Sequence, residues 1–212
     1  MTMIRTSQPG TLRAAVNIAN SALVQADPNG AFKGPSADIA RRLAAHLAFD
    51  LRFVVYQSAA QIYAAARRDE WDVAFLASDP QRRDRLAFSM PYLTVQATLL
   101  TRAGRPEASL PDFDRAGVRI AATRGAAYEQ ILKSLLQSAE VIVFDTPAAS
   151  FRGFLDARLD AVAGIRQSLE ATASSEIGLQ LLQEGFGSIE QCVAVPIDRA
   201  TDLPWIERHM AV

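Results

Sequence analysis

The chain has 212 residues, half of them hydrophobic, and 22 basic against 23 acidic side chains give a formal net charge of −1. That is enough apolar material for one large domain or two small ones, and the near-neutral balance argues against a nucleic-acid binder, which needs a basic face. No apolar run reaches the length of a membrane span, the lone Cys192 excludes an internal disulfide framework, and His46 and His209 are too few for a His/Cys zinc cluster.

The start, MTMIRTSQPG, carries a positive charge with no apolar run behind it, so no secretory signal is visible. Leu12 to Ile18 reads as a first strand, followed by an irregular segment with a turn at Asp27-Pro-Asn-Gly30. Ser36 is placed to cap a helix through Phe49, with Ile39, Leu43 and Leu47 stacked on one face. His46 falls near the edge of that face, where a partly buried structural histidine is expected rather than a catalytic one. Leu51 to Tyr56 is a second strand, Ser58 opens a helix to about Arg68, and Asp72 to Ala77 is a third, almost wholly apolar strand. This is a βαβαβ unit with a parallel sheet.

The stretch after that strand organises the rest. Asp79 is placed to cap a turn, Pro80 at the first helical position loses no hydrogen bond, and Arg82-Arg83 follow. Backbone N–H groups and the Arg82 guanidinium then sit beside the carboxyl end of a strand, where open α/β sheets bind ligands and where both attract an anion. A solvated basic turn fits the same spacing. Phe88 and Tyr92 read as core residues bracing that turn.

Val95 to Thr101 is extended, Ala103 to Pro106 reads as a linker, and the pattern then starts again. Strands are expected at 117–123, 141–144 and 160–163, with helices at 126–138, 147–158 and 166–174. Asp72 and Asp160 both open a short apolar strand, which duplication and convergence explain equally. Glu190 to Pro196 is a last strand, and Asp202 to His209 a terminal helix. The expected fold class is α/β, with two lobes: residues 1–101 with 191–212, and residues 102–190. Each is a mostly parallel sheet flanked by helices, and two crossings, near Thr101 and Gln191, form a hinge.

An ordered set of motifs runs from about residue 10 to about residue 198. It comprises Leu12-Arg-Ala-Ala-Val16; Gly30, Gly34 and Asp38-Ile-Ala40; Trp71-Asp-Val-Ala74; Asp79-Pro-Gln-Arg82 leading to Phe88-Ser-Met-Pro-Tyr92; Gly117-Val-Arg-Ile-Ala121 with Arg124-Gly125; and Leu159-Asp-Ala-Val162. In these the chain resembles the type 2 periplasmic solute-binding proteins, in the polar amino-acid branch called family 3. The resemblance implies a periplasmic-binding-protein-like type II fold that closes on a small solute in an inter-lobe cleft. It also implies delivery to an ABC-type permease and a periplasmic location, with a cytoplasmic one as the alternative where no export signal is visible; no cofactor, metal or catalytic residue is expected.

The family's site residues carry over unevenly. Arg82 matches the arginine that grips the ligand carboxylate. Asn17 and Asn20 stand where the family often has an acid and an aromatic, and Asn17 is the expected polar contact after Arg82. Ala77 replaces a hydroxyl residue five positions before the arginine, and Ala126 replaces the Ser/Thr after Gly125. Ile165 stands where an acid normally receives the ligand ammonium, and Arg166 follows it. Arg124 and Arg166 add positive charge, so the expected solute is anionic or polar, carboxylate-bearing, and not a free α-amino acid, because burying an unpaired ammonium costs several kcal/mol. Arg166 as an outside cap of its own helix is the competing reading. Tyr128 either points to the ligand as a donor or packs its ring on the sheet.

Two other functions share this architecture: a stand-alone ligand sensor and a cyclohexadienyl-dehydratase-like enzyme. The enzyme needs a general acid or base, and none of the expected contact positions holds one. The chain also ends soon after Pro196, where relatives continue. Either a homo-oligomer covers the first lobe or the chain is marginally stable, with Trp205 and Ile206 as the apolar anchors in either case.

Overall fold

The computed structural model describes residues 4–210. The chain folds as two compact α/β units: Met1–Thr94 with Glu190–Val212, and Val95–Ile189.

In the first unit β1 (Thr11–Asn17) is followed by a small antiparallel pair, β2 (Gln25–Ala26) and β3 (Phe32–Lys33), then α1 (Pro35–Leu47), β4 (Asp50–Tyr56), α2 (Ala59–Ala65) and β5 (Val73–Ala77). The central strands lie in the order β4, β1, β5, with β1 parallel to both neighbours. The returning strand β11 (Gly187–Pro196) adds antiparallel to β5, with Cys192 opposite Leu76. A 3-10 turn at Pro80–Arg82 follows β5, and another at Ile197–Asp202 leads into α7 (Leu203–Met210). β5 is buried at every position, as a strand covered on both faces must be.

Local expectations fare differently here. Ser58 caps α2 by accepting from the Gln61 N–H at 3.3 Å, but the helix ends at Ala65 rather than near Arg68. Ser36 is not a cap. Gly34 takes that place, and the Ser36 hydroxyl lies 2.9 Å from the Tyr92 hydroxyl. Gly34 sits at φ 107°, and a Cβ there would come within 2.7 Å of the Leu23 carbonyl oxygen, so only glycine fits. His46 is exposed rather than partly buried. Tyr92 packs its ring edge-on to Phe75 in the core, and Phe88 packs with the Ile62–Leu86 cluster.

The expected partner anchors are corrected. Trp205 and Ile206 lie in the core of the first unit with Leu43, Leu47 and Met210, where α7 packs on α1. Ile206 is fully buried, so its apolar surface is already removed from water within the chain.

The second unit begins within β6 (Leu86–Arg102), a strand far longer than the expected 95–101. α3 (Leu110–Phe113), β7 (Arg119–Thr123), α4 (Ala127–Leu135), β8 (Glu140–Phe144), α5 (Pro147–Asp156), β9 (Ala161–Ile165), α6 (Arg166–Ala173) and β10 (Leu179–Leu181) follow. β8, β7 and β9 run parallel, and the Ala97–Thr101 stretch of β6 pairs antiparallel with β9 and, one stretch further on, with β10. Phe154, Leu159, Val162 and Leu100 centre its core.

The two units repeat one device. Asp72 accepts the Arg13 N–H at 2.9 Å and returns its own N–H to the Arg13 carbonyl; Asp160 treats Arg119 in the same way at 2.8 Å. Each aspartate thereby bonds the incoming strand of its unit to the first one, at the end of the sheet opposite the strands' carboxyl ends.

Candidate functional site

In the first unit β1 and β5 are parallel neighbours, so Asn17 and Ala77 bring their carboxyl ends to one edge of the sheet. The Asn17 side-chain oxygen accepts the Ala19 N–H at 3.1 Å, turning the chain away from the strand. Asn20 closes that turn: its N–H donates to the Asn17 carbonyl, and its own carbonyl accepts from Leu23 and Val24. The Asn20 side-chain oxygen is buried with no protein partner among the described residues.

After Ala77 the Asp79 carboxylate accepts the Gln81 N–H at 2.9 Å, and Pro80 opens the short turn as its sequence predicts. The turn folds Arg82 back on its own strand, where Nη1 donates to the Ala77 carbonyl at 3.1 Å. Arg82 is only 4% exposed. Burial pushes its pKa down, opposed by the Asp79 carboxylate 3.5 Å from Nε, and a guanidinium stays charged under such a shift. The first unit therefore holds a buried, oriented cation at the carboxyl end of β5.

In the second unit β7 ends at Thr123. Arg124 is exposed and pairs with the exposed Asp145 at 3.0 Å. Gly125 turns at φ 67° and donates its N–H to Glu129 at 2.6 Å. Ala126 is the cap residue of α4 and offers no side-chain oxygen, so buried Glu129 supplies the anion at the helix start and takes Lys133 on its other oxygen at 2.6 Å. Tyr128 is buried, with its hydroxyl against the Thr123 side chain, and burial lifts its pKa to about 12. The hydroxyls continue through Thr123 and Ser150 at 2.8 Å to the Thr146 carbonyl.

Ile165 is buried at the end of β9 and is the cap residue of α6. Arg166 donates Nε to Gln96 at 2.5 Å and Nη2 to the Leu182 and Gln183 carbonyls at 3.1 and 2.7 Å, and its Nη1 lies 3.9 Å from Glu170. It ties α6 to the segment after β10. Sequence reasoning gives Asp79 only as a cap and not as the partner of Arg82, sets Glu129 aside as lying within a helix, and misses Gln96 against Arg166. Only Glu129 had a legible signal, half a capping box with Ala126 in place of the hydroxyl.

Among the described residues no group of three or more His, Cys, Asp or Glu side chains is arranged to hold a metal ion. Among the described residues no helix is long and apolar enough to cross a membrane.

The family model described as bacterial extracellular solute-binding proteins, family 3, matches residues 12–191. No curated protein matches the sequence. Among solved structures, the chain is similar to holo ArgBP from T. maritima at 20% identity and a TM-score of 0.82, over 95% of this chain and 89% of that one. It is similar to the solute receptor for L-cysteine of Neisseria gonorrhoeae at 20% identity and 0.83, over 95% and 83%. The ancestral amino acid-binding protein AncCDT-1, a precursor of cyclohexadienyl dehydratase, aligns at 23% identity and 0.80, over 95% and 88%. These likenesses share one fold, the two-lobed type II fold of periplasmic binding proteins.

Proposed function

The chain belongs to the bacterial extracellular solute-binding proteins of family 3, and from that premise we propose that it binds a small carboxylate-bearing solute for an ABC-type permease. The observation that carries this reading is Arg82, buried at the carboxyl end of β5 and held there by Ala77 and Asp79. A guanidinium fork meets a carboxylate with two parallel hydrogen bonds, and charge-assisted bonds are worth about 1.5–3 kcal/mol each. Asn17 and Asn20 stand on the same strand-end edge and supply polar contacts.

The solute is not an ordinary α-amino acid in this proposal. Ile165 offers an ammonium only hydrocarbon, and Glu129, the buried acid at the start of α4, already serves Gly125 and Lys133. Arg124, Gly125, Ala126, Tyr128 and Arg166 then contribute shape and backbone rather than spare charge. Relatives are described with arginine, lysine and L-cysteine, so the distinction is a property proposed for this chain alone. Capture needs no bond-making chemistry, and the protein acts outside the cytoplasmic membrane as a carrier, not an enzyme.

Calorimetry against α-amino acids and their matched 2-hydroxy and dicarboxylic acids tests this. Binding of an acid lacking the amine, weakened about tenfold or more in Arg82→Gln, is the expected outcome. Tight binding of a plain amino acid defeats the ligand class, and an Arg82→Gln variant with unchanged affinity defeats the site. Turnover of prephenate would overturn the carrier reading.

A further inference from the structure

The chain has two histidines, far apart in sequence, and the fold brings them together. His46 lies in the last turn of α1 and His209 in the last turn of α7, with ring centroids 4.7 Å apart. We propose that this pair forms a two-imidazole site for a borderline divalent metal ion such as Zn²⁺ or Cu²⁺, clamping α7 to α1.

The His209 Nδ1 lies 2.7 Å from the Trp205 carbonyl oxygen. A carbonyl only accepts, so Nδ1 carries the proton and Nε2 presents its lone pair. That is the tautomer and the backbone support of a metal-ligating histidine. The ring is further held by stacking on Trp205, with centroids 4.1 Å apart. Two imidazoles that share one ion through bonds of about 2.0–2.1 Å have centroids about 5 Å apart, which the observed spacing matches. The rings now meet edge to face at 62°. His46 is exposed, and a turn of its ring aims a nitrogen at the shared position while the spacing is kept.

Two helix carboxyl ends also converge on the pair, and their partial negative charge favours a cation within the last turn. Arg42, one turn before His46, and Arg208, beside His209, bring opposing positive charge, and each has an interaction partner of its own. Water completes the coordination. The site is therefore modest in affinity and selective for metals that prefer nitrogen over oxygen ligands. Because the imidazoles are adjacent only in the folded chain, a bound ion stabilises the native state.

The experiment is calorimetry and thermal unfolding of untagged protein with zinc, copper and magnesium salts, on the native chain and on His46→Gln, His209→Gln and the double variant. One equivalent of zinc or copper per chain is expected, with a raised Tm, no response to magnesium, and at least a tenfold loss of affinity in each single variant. The Cu²⁺ complex should show the remote nitrogens of two imidazoles by pulsed electron paramagnetic resonance, and these must be His46 and His209 because the sequence has no other histidine. That measurement on the native chain stands even if the His209 variant, which loses the Trp205 stack, folds poorly. Unchanged binding in the double variant, a single-nitrogen spectrum, or no uptake overturns the proposal.

Discussion

At the scale of single residues, position matters more than type. Arg82 and Arg166 are the same residue at matching strand ends. The first is buried beside Asp79 and the Ala77 carbonyl, whereas the second is tied to a side-chain amide and two carbonyls. Gly153 shows the same dependence on place. Its α-carbon faces the Phe144 ring so closely that a Cβ would lie 2.1 Å from Cζ. Gly153→Ala must push that ring outward from the sheet edge, and we expect a loss of about 1–3 kcal/mol in urea unfolding. Adding Phe144→Ala should make the second change cost less than it does alone, a coupling a double-mutant cycle reads directly. Strict additivity would mean that the ring is not what the glycine accommodates.

At the scale of elements, caps explain where helices begin and end. α4 starts on an alanine and is rescued by Glu129 one turn in, while α1 stops on Ala48 at φ 55°, a left-handed conformation that glycine adopts without strain. A Cβ in that region costs roughly 1–2 kcal/mol, partly offset by the greater freedom of glycine in the unfolded chain. Ala48→Gly should therefore stabilise the protein by about 1 kcal/mol, a rise in Tm of about 2–4 °C for a chain of this size. A lower Tm would show that the C-cap is not strained. The strands themselves were readable, since their apolar runs are short and bounded. The length of β6 was not, because the strand runs on through Pro91, a residue that donates no ladder hydrogen bond and is unexpected inside a strand.

At the scale of the whole molecule, buried ion pairs bond the first unit's strands and its terminal segments. Asp72 is fully buried; burial alone would raise its pKa, but donors from Arg13, Ser7 and Arg199 hold it below the ordinary aspartate value of 3.8. Asp160 is lowered likewise by the Arg119 N–H and Arg105 against its own burial. A carboxyl group with a depressed folded pKa lends stability that is complete above its unfolded pKa and is lost as pH falls through the folded one. Urea unfolding should thus give a stability to which these groups contribute fully, without pH dependence, near neutrality and which falls steeply below about pH 4. Asp72→Asn should cost about 1–3 kcal/mol at pH 7, by leaving Arg13 and Arg199 with only the exposed Asp69 as charge partner, and should flatten the acid limb. An unchanged limb would place the acid sensitivity elsewhere.

Local chemistry alone determined the α/β class, most strands, the Asp79–Pro80 turn and the cation at its end, because periodicity and turn residues act over a few positions. Tertiary structure alone decided which arginine is buried, that Trp205 and Ile206 are covered by their own chain, and that the two histidines meet. Each of those depends on residues distant in sequence, and burial and charge pairing are properties of neighbours in space.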